Sequence, residues 1–268
     1  MLRGLLPTRS SCRKIRDEGG SWDHRGSRLP AAAPDFGRLQ SCYHPGFFGV
    51  RLVELTPENI ALGITWYVVL LLSLSVHESA HGWMALQMGD DTALREGRIS
   101  LNPAVHIDPV GTVLMPLAQF FFSGIPLLAW AKPTPVGAHN FRRLARGHVL
   151  VAGAGPLSNV ILAALFLLVL FIAVRMRVDP GPSMVVYRFL SMGVIMNISL
   201  AIFNLVPIPP LDGSWIASWG LPRELGHKYD SVMEPYGMLF MILLLVAGGY
   251  VLGPIISFVS ELLLRLVF

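Results

Sequence analysis

The stretch from Leu70 to Gly89, reading LLLSLSVHESAHGWMALQMG, constrains the fold more than any other part of the chain. It is apolar enough to lie in a bilayer, yet it holds His77, Glu78 and His81. An ionisable side chain at membrane depth costs about 2.5 kcal/mol or more, so such residues mark functional sites by default. On a helix, residues four apart share a face and lie about 6 Å apart along the axis. His77 and His81 can therefore share one metal ion. Glu78 is offset around the helix, where it can hold a water beside the metal rather than the metal itself. The plainer alternative is a histidine pair satisfied by neighbouring helices.

Hydrophobic residues make up 53% of the 268 and charged residues 14%, against about 25% charged in ordinary soluble domains. The class this predicts is an all-α integral membrane protein, a multi-span helical bundle. The net charge of +4 sits largely in the N-terminal segment and one loop, so it bears on topology and not on nucleic acid. Cys12 and Cys42 both precede the first apolar span. A metal site in the membrane part must then use His, Asp or Glu.

Residues 1–55 are rich in Arg, Ser, Gly and Pro. They lack the continuous apolar core of a secretory signal, and Asp17, Glu18 and Asp23 argue against a transit peptide. They read as a disordered leader or an over-extended start, ahead of a polytopic membrane domain over 56–268. Spans are expected at 60–88, 149–174 and 184–205. Residues 214–235 read as a polar link, and 236–268 as one span plus a shorter returning piece broken at Gly253-Pro254. Between the first two spans, Val110 to Ala131 is apolar but interrupted by Pro116, Gly124 and Pro126. Lys132 to His148 follows, with Lys132, Arg142, Arg143, Arg146 and no acidic residue, a cytoplasmic-loop signal.

Parity decides between two topologies. If Val110 to Ala131 crossed the bilayer once, His77 and His81 would lie in the outer half while Asp212 lay at the cytoplasmic surface. Two ligands cannot share a metal from opposite leaflets. A re-entrant element instead brings the end of the first span, the start of the second and Asp212 to one side, which is acceptable where protein or water covers the irregular backbone. The re-entrant reading is favoured, with an intramembrane metal site toward the cytoplasm.

His-Glu-x-x-His on a helix is the zinc-hydrolase signature, and a catalytic zinc takes three protein ligands and a water. Asp212, His106, Asp108 and Glu96 are candidates for the third ligand. Asp212 is favoured, because Pro207, Pro209 and Pro210 break the helix before it and Gly213 permits a tight turn after it.

His77-Glu-Ser-Ala-His81, Ala154-Gly-Pro-Leu-Ser-Asn159 and Asn204-Leu-Val-Pro-Ile-Pro-Pro-Leu-Asp-Gly213 together resemble the three signatures of the site-2 protease family of intramembrane zinc metalloproteases. Gly89-Asp90, Leu101 to Thr112 and Trp130-Ala-Lys-Pro-Thr-Pro135 resemble its compact bacterial branch, which lacks attached PDZ or CBS domains. The resemblance implies His77, His81 and Asp212 as ligands of one Zn2+, Glu78 as catalytic base and Asn159 as a stabiliser of the reacting carbonyl. It places His106, and with it Asn102, near the site. Trp215 departs from the family, where a basic residue is more usual. The implied activity is peptide hydrolysis in or near transmembrane segments of membrane proteins, in a bacterial plasma membrane, with no nucleic-acid partner. A metal or ion carrier and an inactive binding homologue are the alternatives, and neither gives Glu78 its place beside two ligands.

Overall fold

A computed structural model describes residues 51–52, 54–123, 129–176 and 180–267. The expected leader thus lies almost wholly outside the described residues, as do Cys12 and Cys42. Four helices are long and apolar enough to cross a membrane, and the protein is an all-α membrane protein.

The first, α1 (Pro57–Met88), has 32 residues, or about 48 Å at 1.5 Å per residue, well beyond a hydrocarbon core of about 30 Å. It starts where Thr56 accepts a hydrogen bond from the Asn59 N–H at 3.2 Å, with Pro57 at the first helical position, a sequence-coded start. It stops at Gly89, whose left-handed backbone (φ 111°) is a conformation that glycine adopts without a Cβ penalty. A short α2 (Thr92–Arg95), a 3-10 turn (Pro103–His106), a π-helical turn (Pro109–Leu114) and α3 (Met115–Phe121) follow. Two-residue strands β1 (Arg51–Leu52) and β2 (Phe122–Ser123) pair antiparallel.

The apolar helical stretch Pro109–Phe121 covers about 20 Å at the α-helical rise, short of a full crossing. Its return is fixed by backbone hydrogen bonds. Trp130 N–H donates to the Gly111 carbonyl at 3.3 Å, and Arg142 N–H donates to the Met88 carbonyl at 3.0 Å. The chain therefore leaves α1 at Met88 and comes back to the same place at Arg142, which a single crossing in between would forbid. Asp90 ties the two ends together, accepting from Gly137 N–H at 2.7 Å and from the Asn140 amide at 2.8 Å.

The remaining helices are α4 (Leu144–Arg175), α5 (Pro180–Asn204), α6 (Asp212–Gly220) and α7 (Arg223–Arg265). Leu70, Leu74, Met196 and Leu200 join α1 to α5, and Phe166, Leu170, Leu190 and Val194 join α4 to α5. Within that contact the Asn197 amide donates to Ser73 Oγ at 2.9 Å, an interhelical bond of the kind that holds membrane helices together. Almost the whole apolar window of α7 faces outward, as suits a lipid-facing helix.

Two expectations are corrected. Residues 214–235 are not a polar link, since α6 and the first turns of α7 occupy them. Nor does Gly253-Pro254 break the last span: α7 continues through both Pro235 and Pro254. A proline deletes one backbone hydrogen bond, and in membrane helices neighbouring groups and local adjustments absorb the loss.

Candidate metal centre

α1 presents His77 and His81 on one face, as their spacing requires. Their Nε2 atoms lie 3.0 Å apart. The proline run after Asn204 turns the chain so that Asp212 opens α6 directly against them. Asp212 Oδ2 lies 3.2 Å from His77 Nε2, and Oδ1 lies 3.4 Å from His81 Nε2. The tight turn expected after Asp212 at Gly213 is not formed. Gly213 sits inside α6, where a Cβ would collide with the Leu205 backbone. Burial by itself would raise the Asp212 pKa, but the two imidazoles facing the carboxylate hold it down at about 2.

The tautomers are set from α4. His81 Nδ1 is 2.7 Å from the Val151 carbonyl, and His77 Nδ1 is 2.9 Å from Asn159 Oδ1. Both oxygens can only accept, so each Nδ1 carries the proton and each Nε2 presents a bare lone pair. Two lone pairs and a carboxylate then converge, an arrangement that a shared metal cation would stabilise. Tetrahedral coordination at about 2.0–2.1 Å places ligand atoms about 3.3 Å apart. The observed 3.0, 3.2 and 3.4 Å bracket that value. Among the described residues, His77, His81 and Asp212 form the one group of this kind.

Gly155 makes the close approach possible. A Cβ there would lie 2.5 Å from both His77 Cε1 and His81 Nε2. Val151, Gly155 and Asn159 are spaced four apart, so one stripe of α4 forms the wall behind both imidazoles.

Glu78 points to a different neighbour. Its Oε2 accepts from the Thr134 N–H at 2.8 Å, and the Thr134 hydroxyl donates to the Glu78 carbonyl at 3.0 Å. Arg98, buried in the loop after α2, donates to the Val105 and Pro133 carbonyls and so braces the segment that carries Thr134. Trp215 and Trp219 of α6 both stack on His148 of α4, with ring centroids 5.3 and 4.3 Å apart. That stack fastens the helix whose first residue is Asp212. Trp215 thus has a packing role here.

The other candidates are not members of the trio, although His106 Nε2 lies 3.4 Å from Ser79 Oγ on α1. His106 is buried, 2.8 Å from the Ser100 carbonyl through Nε2. Asn102 caps the 3-10 turn, accepting from Ala104 N–H at 3.1 Å, and Asp108 caps the π-helical turn, accepting from Val110 and Gly111 N–H. Glu96 lies exposed in the loop. Thr134, Val151, Gly155 and Arg98 received no role from sequence. For Val151 no side-chain signal exists, because the contact that matters is its backbone carbonyl.

Comparisons with known proteins identify the family. Residues 173–248 match the family model for Peptidase family M50. The chain is 38% identical over 203 residues to "Putative zinc metalloprotease YwhC" of Bacillus subtilis (strain 168), covering 74% of this chain and 89% of that protein. It is 30% identical over 188 residues to "Putative zinc metalloprotease Rip2" of Mycobacterium tuberculosis (strain ATCC 25618 / H37Rv), covering 69% of each. No solved structure matches the chain significantly. With a relative this similar along nearly its whole length, and with the same residues meeting in space that the sequence signatures single out, the chain belongs to Peptidase family M50, the site-2 protease family.

Proposed function

We propose that this protein is an intramembrane zinc endopeptidase that hydrolyses peptide bonds in or near transmembrane segments of other membrane proteins. The observation that carries this reading is the convergence of the Asp212 carboxylate on His77 Nε2 and His81 Nε2, which sit beside Glu78 on a helix apolar enough to lie in a bilayer. These three residues would hold a single zinc. When bound, zinc supplies Lewis acidity to a peptide carbonyl and to a water.

The protein's own groups do the rest. Glu78 takes a proton from the attacking water and passes it to the leaving amide nitrogen. The Thr134 N–H orients the Glu78 carboxylate for that transfer. Asn159 and the Val151 carbonyl of α4 hold the imidazoles. The stack of Trp215 and Trp219 on His148 holds the helix that Asp212 opens, so little reorganisation accompanies the reaction. The functional unit is residues 56–268. A bacterial plasma membrane, with the site toward the cytoplasm, fits the basic loop that begins at Lys132.

Purified protein in lipid or detergent should contain one zinc per chain and cleave a model transmembrane substrate, and a chelator should abolish the cleavage. Asp212→Ala should lose most of the zinc. A protein that transports metal and yields no peptide product would overturn this reading in favour of a carrier.

A further inference from the structure

We propose that Asn159 is a positioning residue: it acts on the reaction through His77, by holding that imidazole in the one tautomer that can bind metal. The inference rests on the zinc reading above and concerns which atom of Asn159 does the work. Asn159 is fully buried in the middle of α4, and His77 is buried on α1. Asn159 Oδ1 lies 2.9 Å from His77 Nδ1. An amide oxygen cannot donate, so the ring proton is fixed on Nδ1 and Nε2 is left bare toward Asp212 and His81. Turning the amide over would set its NH2 against Nδ1 and move the ring proton to Nε2, blocking the ligand atom.

Nδ1 and Nε2 point in divergent directions from the ring. Asn159 Oδ1 therefore sits across the imidazole from the ligand atom, while the amide nitrogen is buried with no hydrogen-bond partner of its own. Metal-ligating histidines gain orientation and basicity from an acceptor placed as Oδ1 is. The Val151 carbonyl does the same for His81 at 2.7 Å, but a backbone carbonyl cannot be removed by substitution. Asn159 is the half of this pair open to test.

The decisive comparison is Asn159→Ala against Asn159→Asp, with zinc affinity read by competition against a chromophoric chelator and turnover read separately. Loss of such a partner costs about 10- to 100-fold in metal affinity. Asn159→Ala should show that loss. Asn159→Asp, whose carboxylate accepts the same N–H, should restore affinity at least to the unmutated value and recover turnover. If the amide instead donated to the reacting carbonyl, Asn159→Ala would keep full zinc affinity and lose turnover alone, and Asn159→Asp would not rescue it. Equal loss of affinity in both variants would make Asn159 a packing residue. Either result overturns the proposal. Imidazole 15N shifts of His77 in the metal-free unmutated protein give a second reading that needs no variant. The Nδ1–H form is expected, and the Nε2–H form would refute the assignment. Absence of zinc binding by the unmutated protein would sink the proposed function as well, a result separate from either of these.

Discussion

Gly155→Ala is the most direct test of how closely α4 must approach the metal centre. The added Cβ would lie 2.5 Å from His77 Cε1, 2.5 Å from His81 Nε2 and 2.6 Å from His77 Nε2. Comfortable contact needs about 3.5 Å, so the rings or the helix must retreat by about 1 Å. With metal bound, both rings are held by Val151 and Asn159 on one side and by the shared ion on the other, which leaves them little room to do so. Overpacking of this kind costs about 1–3 kcal/mol. Without metal the imidazoles can swing aside and relieve part of it. With metal they must converge, so the strain falls on the bound state. A difference of about 1–3 kcal/mol weakens zinc affinity by about 5- to 150-fold. Chelator competition would measure it, with Gly153→Ala as the control. A Cβ at Gly153 meets nothing within 4 Å, and Ala is favoured over Gly inside a helix by about 1 kcal/mol. Gly153→Ala should therefore bind zinc normally. Unchanged zinc affinity in Gly155→Ala would show that α4 does not press on the site as described.

Three further outcomes are expected. Glu78→Gln should keep its zinc, because Glu78 is outside the ligand trio, while its turnover falls by about 100- to 10,000-fold; cleavage at the unmutated rate would remove Glu78 as the base. Asp90 is buried, which by itself would raise its pKa, but hydrogen bonds from Thr92, Asn140 and Gly137 hold it below the ordinary carboxylate range. Its stabilising effect is therefore complete above about pH 4, near its unfolded pKa, and is lost as pH falls through the lower folded value. Thermal denaturation in detergent across pH 2–7 should show that loss, and Asp90→Asn, which sets an NH2 among donors, should be destabilised by about 1–3 kcal/mol at neutral pH. Single cysteines at the exposed positions Glu96, Arg142 and Arg223 should all react with an impermeant label from the same side of the membrane. Reaction of Glu96 from the opposite side to Arg142 would contradict the bond between Met88 and Arg142.

The sequence by itself determined the membrane setting and the grouping of His77, Glu78 and His81. His77, Glu78 and His81 are four residues or fewer apart, and helix geometry alone puts the two histidines on one face. The apolar runs are long enough to span by length alone, and the proline run before Asp212 announces a chain reversal. Parity also favoured a re-entrant Val110 to Ala131, and the Met88–Arg142 bond gives that reading its physical ground. The last helix misled because Pro235 and Pro254 look like breaks, yet each removes only one backbone bond.

Only the tertiary structure could decide what lies between the motifs. Asn159 is 82 residues from His77, and nothing local says that its amide oxygen faces Nδ1. Val151 acts through its backbone carbonyl, which every residue possesses, so no residue type marks it. Gly155 is legible as a small residue, but its role depends on two imidazoles that arrive from another helix. Helical periodicity fixes which groups share a face. Which face meets which is set by packing across tens of residues, and there the metal centre is completed.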